Sequence, residues 1–423
     1  MPDRLGAFCF SSTLFALASS IWCASAAHAD ALSLDKAVEI AAANTPQMLA
    51  QRAALDGAQS LAISAGRLPD PELVLGVDNL PVEGADAYSS GADFMTMRKV
   101  GVMQTFPNAR KRTSERDRAD AVVAVARNQT QQTRLDVSRA AADAWIGVHV
   151  AQQVLDKLKS LEPEVRLQAE AARAALASGR GSSVEAIAAQ SAISEQADRV
   201  LMAERDLQKA RAELGRWIGA YAQHPLAQPP SFSELPYPRE RLLASLDRHA
   251  TLQEFDARLA VARSDVEVAR AGKRPDWSVQ LAYAKRGAAF DDMASLEFRI
   301  GLPLFSGNRQ DPIISARRAE LRQLEAERDV ELRMHEAQIV SELAAWDAAR
   351  ERIALYERER LPLARQQSQA ALAAFQAGRI ELAQALASHV AEVEAHRAYA
   401  ELTADLGGAW TFLRYLETEH PSP

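Results

Sequence analysis

Three side chains near the C-terminus have the types and spacing that can bind a metal ion. His389, Glu392 and His396 stand at positions i, i+3 and i+7, which lie on one face of a helix. Imidazole and carboxylate groups are ligands of zinc and related cations. The same pattern is common at helix surfaces and interfaces, and two turns separate the histidines. His389 and His396 are therefore weak metal candidates.

Three methionines, Met95, Met97 and Met103, form a second weak group of metal candidates. They lie in and beside a predicted strand, and thioether sulfur suits Cu(I). Methionine at alternate strand positions is also ordinary packing or lipid-facing material. The sequence thus predicts no firm metal site.

Sequence motifs for enzyme chemistry are absent. The chain contains no HExxH, no phosphate-binding glycine loop and no G-x-S-x-G. Its net charge is −7, with acidic and basic residues mixed and no long basic block. We expect neither enzymatic activity, nor a cofactor, nor a nucleic-acid partner.

The first 29 residues are typical of a secretory signal peptide. Arg4 precedes an apolar stretch, and an A-x-A motif at 27–29 predicts cleavage after Ala29. Both cysteines, Cys9 and Cys23, lie in this segment, so the mature chain has no thiol. No later stretch approaches the ~20 apolar residues of a membrane helix.

The rest of the chain is an internal duplication with a period of about 199 residues. Three pairs of landmarks are separated by this distance: Gly179 and Gly378, Pro163 and Pro362, Arg110 and Arg309. The sequence predicts a first repeat at 30–219, a proline-rich connector at 220–240, a second repeat at 241–416 and a tail at 417–423.

Each repeat has the same predicted order of elements. A helix (34–66, then 239–273) precedes two strands, and a very long helical stretch follows (108–177, then 312–377). A glycine turn leads into the last helix (182–217, then 380–416). The long stretch measures ~100 Å at 1.5 Å per residue. It is rich in alanine, which buries little area, so such a rod requires neighbours on both sides.

The four predicted strands, at about 72–80, 97–106, 276–286 and 295–305, alternate in polarity. Residues 296, 298, 300, 302 and 304 are apolar, with Glu297 and Arg299 between them. Ordinarily such a hairpin packs on a soluble core. In an exported chain without another globular core, it is the weak signature of an outer-membrane barrel. Four strands are too few to close one, so copies of the chain must pool their strands.

Several segments resemble the TolC-like outer-membrane efflux proteins. These are GLPLFSGNRQ at 301–310 and the glycine turns SGRGSSVEAIAAQ and AGRIELAQALASH. The segments LSLDKAVEIAAANTPQM, RLPDPELVLGVDNLP and VGVMQTFPNARKR are most similar to the heavy-metal (CzcC/CusC-like) branch. The resemblance covers nearly the whole mature chain.

The resemblance implies a mainly α-helical fold with a membrane β-barrel part. It implies a homotrimer with a 12-stranded β-barrel, a 12-helix α-barrel of coiled hairpins and an equatorial belt that includes the connector. The location implied is the outer membrane of a Gram-negative bacterium, extending into the periplasm. The implied partners are outer-membrane lipid, a periplasmic adaptor (membrane fusion protein) and an inner-membrane RND pump.

The resemblance also implies roles for the two glycine turns. Gly179, Arg180, Gly378 and Arg379 would form the periplasmic tips that dock the adaptor. Family members often carry acidic residues about two turns past the second tip, where this chain has Gln384 and Ala387. The candidates for the pore entrance are therefore Glu381, Gln384 and Glu185; the alternative is that they are ordinary solvated side chains.

The resemblance predicts that the protein is the exit duct of a tripartite RND-type efflux system that exports heavy-metal cations. Alternatives are a duct for drugs or secreted protein, or a periplasmic coiled-coil adaptor or scaffold. The adaptor alternative is disfavoured because an adaptor needs one helical hairpin and no barrel strands.

Overall fold

A computed structural model describes residues 31–244 and 246–416 of the chain. The predicted signal peptide and the predicted tail at 417–423 lie outside the described residues. The first repeat contains α1 (Leu34–Asn44), α2 (Pro46–Ser64), β1 (Glu72–Asp78), β2 (Met97–Phe106), α3 (Ala109–Ala177) and α4 (Ser183–Ile218). The second contains α5 (Arg239–Ala244), α6 (Ala250–Ala271), β3 (Trp277–Lys285), β4 (Met293–Ile300), α7 (Gln310–Leu355), α8 (Leu361–Gln376) and α9 (Leu382–Arg414).

The first helix of each repeat is divided, where the sequence predicts one continuous helix. Pro46 forces Thr45 into an extended conformation (φ −68°, ψ 144°), which ends α1 and begins α2. Ser33 is the N-cap of α1 and accepts a hydrogen bond from the Lys36 N–H at 3.2 Å. In the second repeat a short 3₁₀ segment and His249 separate α5 from α6.

The two long rods accommodate their prolines differently. Helix α3 continues for 69 residues through Pro163. In the second repeat, residues Tyr356–Arg360 form a π-helical segment between α7 and α8, and the Leu361 N–H donates to the Tyr356 carbonyl. The wider π turn makes room for the Pro362 ring, which clashes with a regular preceding turn. The pair Asp311-Pro312 is typical of an N-cap followed by the first helical residue, but helix α7 begins earlier, at Gln310, with Arg309 at the N-cap position.

Short helices pack along each long one. Helices α1, α2 and α4 lie against α3, as their lengths predict, and α6 and α9 lie against α7. Helix α3 also contacts α6 and α9, which joins the two repeats. Among the described residues, no helix is both long and apolar enough to cross a membrane.

The main core lies where the connector crosses the helices. Residue Leu32 forms an isolated parallel bridge with Leu226. The indole N–H of Trp346 donates to the Phe232 carbonyl at 2.9 Å, and that of Trp410 to the Glu234 carbonyl at 3.0 Å. The connector is thus held by side-chain donors from α7 and α9.

The four strands form one antiparallel sheet in the order β1-β2-β3-β4. Strand β4 ends at Ile300, five residues before the predicted end. The Gly301 N–H still donates to the Asp276 carbonyl at 2.9 Å, in register with the ladder, but Pro303 has no N–H with which to continue it. Leu302 and Leu304 are therefore outside the strand.

Candidate functional site

One face of the sheet is apolar and exposed across all four strands. The register aligns Leu73, Val102, Leu281 and Leu296 in one row across the sheet. The exposed fractions of Leu73, Leu281 and Leu296 are 67%, 61% and 60%. Further apolar members of this face are Leu75, Val77, Val100, Phe106, Trp277, Val279, Tyr283, Phe298 and Ile300. Trp277 to Tyr283 span roughly 20 Å at 3.4 Å per residue, close to the height of a membrane-facing band.

The ends of the apolar face carry polar and aromatic side chains. Arg98 pairs with Lys285 in the register at one end. At the other end the rings of Phe106 and Trp277 stack at 4.2 Å between centroids. Aromatic side chains at the edge of an apolar band are typical of proteins that meet a membrane interface.

The opposite face of the sheet is polar. Lys99 Nζ lies 2.8 Å from Asp78 Oδ2, and the Arg299 Nε donates to Glu297 Oε1 at 2.6 Å. Gly101 is required there, because a Cβ at this position would lie 2.6 Å from the Cβ of Ala282. The sheet therefore has one face suited to lipid and one suited to water.

Strands β1 and β4 are the two edges of the sheet. Each pairs on one side only within the described chain, and all eight residues of β4 are exposed. An unprotected edge of this kind presents free N–H and C=O groups to a further strand.

The junctions between helices and strands are fixed by polar contacts between the repeats. The Asn108 backbone N–H donates to Asp276 Oδ1 at 2.7 Å, and Asn108 Oδ1 caps α3 by accepting from the Lys111 N–H at 2.9 Å. Burial by itself would raise the pKa of Asp276. The hydrogen bonds from Asn108 and the charge of Lys111 outweigh burial, so the pKa lies below its usual value.

The two predicted tips have the same turn. Gly179 and Gly378 have φ values of 72° and 69°, a left-handed conformation that favours glycine. The following arginine N–H donates back to a helix carbonyl at 2.9 Å in both turns, Arg180 to Ala175 and Arg379 to Ala374. Both arginines are exposed.

The three candidates for the pore entrance lie just beyond these turns. Glu381 and Gln384 are exposed at the start of α9. Glu185 forms a capping box, in which its carboxylate accepts from the Ser182 N–H at 2.8 Å. That contact gives Glu185 a structural role at the start of α4.

Two of the three methionine candidates, Met97 and Met103, lie far apart on strand β2. Met97 and Met103 lie on the same face of β2 but six residues apart, or roughly 20 Å. Met103 Sδ lies 3.6 Å from Arg299 Nη1, and a cation at that distance opposes binding of Cu(I). Met97 and Met103 are therefore too far apart to bind the same ion, and the thioether site stays a prediction.

Two of the three residues predicted to share a metal-binding face, His389 and Glu392, lie together in the structure with a third residue from another helix. His389 and Glu392 are buried, and the carboxylate of Glu164 on α3 joins them, while His396 is not part of the cluster. Burial lowers the pKa of His389, which favours the neutral imidazole, and burial together with the charge of Glu392 raises the pKa of Glu164. Sequence spacing could not reveal Glu164, because it lies 225 positions from His389.

Long helical rods, antiparallel helix pairs and a four-stranded sheet with one apolar face are the features of the TolC-like channel fold. Residues 37–220 match the family model described as outer membrane efflux protein. No curated protein sequence matches the chain.

Solved structures share the fold over most of its length. The outer membrane protein VceC of Vibrio cholerae is 20% identical, with 91% of this chain and 97% of that one covered and a TM-score of 0.76. CusC is 16% identical, with 91% and 92% covered and a TM-score of 0.75. The CmeC outer membrane channel of Campylobacter jejuni is 12% identical, with 92% and 87% covered and a TM-score of 0.76.

These likenesses confirm the predicted TolC-like fold, and the family match agrees with the predicted efflux family. The matched family and these neighbours are channels and not enzymes, in agreement with the prediction that the chain is not an enzyme.

Proposed function

We propose that the chain is the outer-membrane exit duct of a tripartite RND-type efflux system. The observation that supports this most directly is the exposed apolar face that crosses all four strands, with a polar face behind it and two open edges. In the proposed trimer, β1 of one copy pairs with β4 of the next, and twelve strands close a barrel in the outer membrane of a Gram-negative bacterium.

The pairing of β1 with β4 can be tested with engineered disulfides. Apart from Cys9 and Cys23 in the predicted signal peptide, the chain has no cysteine. One cysteine replaces Val74 on β1, and the other replaces Ser295 or Glu297 on β4, which lie on the same polar face of the sheet. Within one chain, β1 and β4 are three strand spacings apart, about 14 Å, which is too far for a disulfide.

We expect at least one pair to give covalent dimers and trimers on a non-reducing gel of the outer-membrane fraction. The control pairs the Val74 cysteine with a cysteine at Ser278 on β3, which is paired on both sides. Recovery of the protein as a periplasmic monomer would contradict the duct and favour the scaffold alternative.

The proposed cargo is heavy-metal cations. This part of the proposal rests on the likeness of three segments of the first repeat to the heavy-metal branch of the family. Ducts for drugs or for secreted protein have the same architecture. A deletion strain should lose tolerance to copper, silver, zinc, cadmium or cobalt and recover it with the cloned gene. Lost tolerance to organic toxicants with unchanged tolerance to every metal would contradict the heavy-metal assignment.

We further propose that Gly179, Arg180, Gly378 and Arg379 dock a periplasmic adaptor, and that Glu381, Gln384 and Glu185 line the pore entrance. Both arginines are exposed, and so are Glu381 and Gln384. Replacing both arginines by glutamate should weaken co-purification of the adaptor. The matched control is Arg318→Glu at an exposed position of α7 far from the tips.

A further inference from the structure

Two neighbouring side chains of α9 are buried without hydrogen-bond partners. His389 is 2% exposed and Glu392 is 1% exposed. Neither ring nitrogen of His389 has a partner, and neither does Glu392 Oε2. An unpartnered buried polar group costs about 1–3 kcal/mol, and more when it is charged. Unfilled, this arrangement is unfavourable, so a ligand that binds these atoms would stabilise the fold.

The third member of the cluster comes from the other repeat. Glu164 on α3 places a carboxylate oxygen 4.0 Å from His389 Nδ1. Glu164, His389 and Glu392 each offer a ligand atom within 4.8 Å of the other two. Ligands at 2.0–2.2 Å from a tetrahedral ion lie about 3.4 Å apart, so small rotations of the two glutamates are sufficient.

The charges of three cationic side chains, Lys157, Arg199 and Arg365, act on members of the cluster. Lys157 Nζ lies 3.6 Å from Glu392 Oε1, whereas Glu392 Oε2 has no hydrogen-bond partner. The lysine therefore satisfies only part of Glu392 and forms no hydrogen bond with His389.

We propose that Glu164, His389 and Glu392 together bind one divalent transition-metal ion of the zinc type in each chain. One imidazole nitrogen and two carboxylate oxygens suit Zn²⁺, Co²⁺ or Ni²⁺, with water completing the coordination. Magnesium and calcium prefer oxygen ligands alone, and Cu(I) prefers soft sulfur.

The ion links the two repeats near their glycine turns. Glu164 lies 15 residues before Gly179, and His389 lies 11 residues after Gly378, which correspond to about 22 Å and 16 Å of helix. The cluster lies inside the packed helices, so this is a resident ion that fixes α3 against α9. The proposal goes beyond the duct function and does not depend on it.

Metal binding to the purified full-length protein tests the site directly. The protein is prepared without a histidine tag, stripped with a chelator, and titrated with Co²⁺ and then with Zn²⁺. We expect one ion per chain and a tetrahedral Co²⁺ absorption spectrum. His389→Ala and Glu392→Gln should each weaken binding at least tenfold, as should Glu164→Gln. His396→Ala, which changes a half-buried histidine of the same helix outside the cluster, should leave binding unchanged.

A second measurement separates lost binding from lost folding. Each variant is first checked for oligomer size and helical circular dichroism, and Glu→Gln retains the shape of the side chain. Zn²⁺ should raise the unfolding temperature of the unmodified protein and of His396→Ala, but not that of His389→Ala. If the stripped unmodified protein binds no more metal than His389→Ala, or if His396→Ala loses as much, the proposal is wrong. Either outcome leaves the duct proposal unaffected.

Discussion

The indole Nε1–H of Trp145 on α3 donates a hydrogen bond of 2.9 Å to the backbone carbonyl of Leu32. The second repeat contains the same contact, since Trp346 on α7 donates to Phe232 at 2.9 Å. The donors are 201 positions apart and the acceptors 200, which agrees with the period of the sequence repeat. Each long helix thus holds the segment that precedes the first helix of its own repeat.

Replacing either tryptophan should destabilise the junction of connector and helices. Trp145 is fully buried, so Trp145→Phe removes the donor and leaves a small void, at a cost of about 1–3 kcal/mol. Trp346→Phe should cost a similar amount. The measurement is thermal unfolding in detergent, and Trp217→Phe, at a partly buried position under Arg216, is the control. Equal effects of all three changes would contradict a specific role for the hydrogen bonds.

A charge on the apolar face of the sheet should prevent membrane assembly. Leu296→Arg places a guanidinium on the proposed lipid face, at a cost of about 2–4 kcal/mol near the bilayer centre. Ser295→Arg, one residue earlier on the same strand, points to the polar face and should be tolerated. The measurement is the amount of oligomer in the outer-membrane fraction. Equal loss for both variants would show that the two faces are not assigned correctly.

A side chain at either tip glycine should destabilise the turn. Gly378→Ala forces a left-handed conformation on alanine, at a cost of about 1–2 kcal/mol, and Gly179→Ala should behave alike. Gly57→Ala is a control of opposite sign: it lies inside α2, has open space around it, and should stabilise by about 0.5–1 kcal/mol. Thermal unfolding measures all three, and a neutral effect at both tips would contradict the shared turn.

Acid should weaken the junction between Asn108 and Asp276. Because the pKa of folded Asp276 lies below its usual value of 3.8, its contribution to stability is complete above pH 3.8. The contribution is lost as the pH falls through the lower folded value. Asp276→Asn should lower the unfolding temperature at pH 7. At low pH, the unfolding temperatures of Asp276→Asn and of the unmodified protein should lie closer together. A difference that stays constant down to pH 3 would rule out this carboxylate as a source of acid sensitivity.

Sequence periodicity was sufficient to predict the order of the helices and strands and the two faces of the sheet. Alternation at Trp277, Val279, Leu281 and Tyr283 predicts one face of β3, and the register places these residues on it. Helix interruptions were harder to predict. Proline at 46 divides a helix and proline at 163 does not, because the outcome depends on whether packing with neighbouring helices compensates for the lost hydrogen bond.

The sequence by itself determined the duplication, the order of rods and strands, and the glycine turns, since each depends on residues close together in the chain. Only the tertiary structure decided which distant groups meet. It brought Glu164 to His389, Asn108 to Asp276 and Trp145 to Leu32. The physical reason is that helical spacing fixes which side chains share a face. The partner of that face is chosen by the packing of helices that can lie more than two hundred residues apart in the chain.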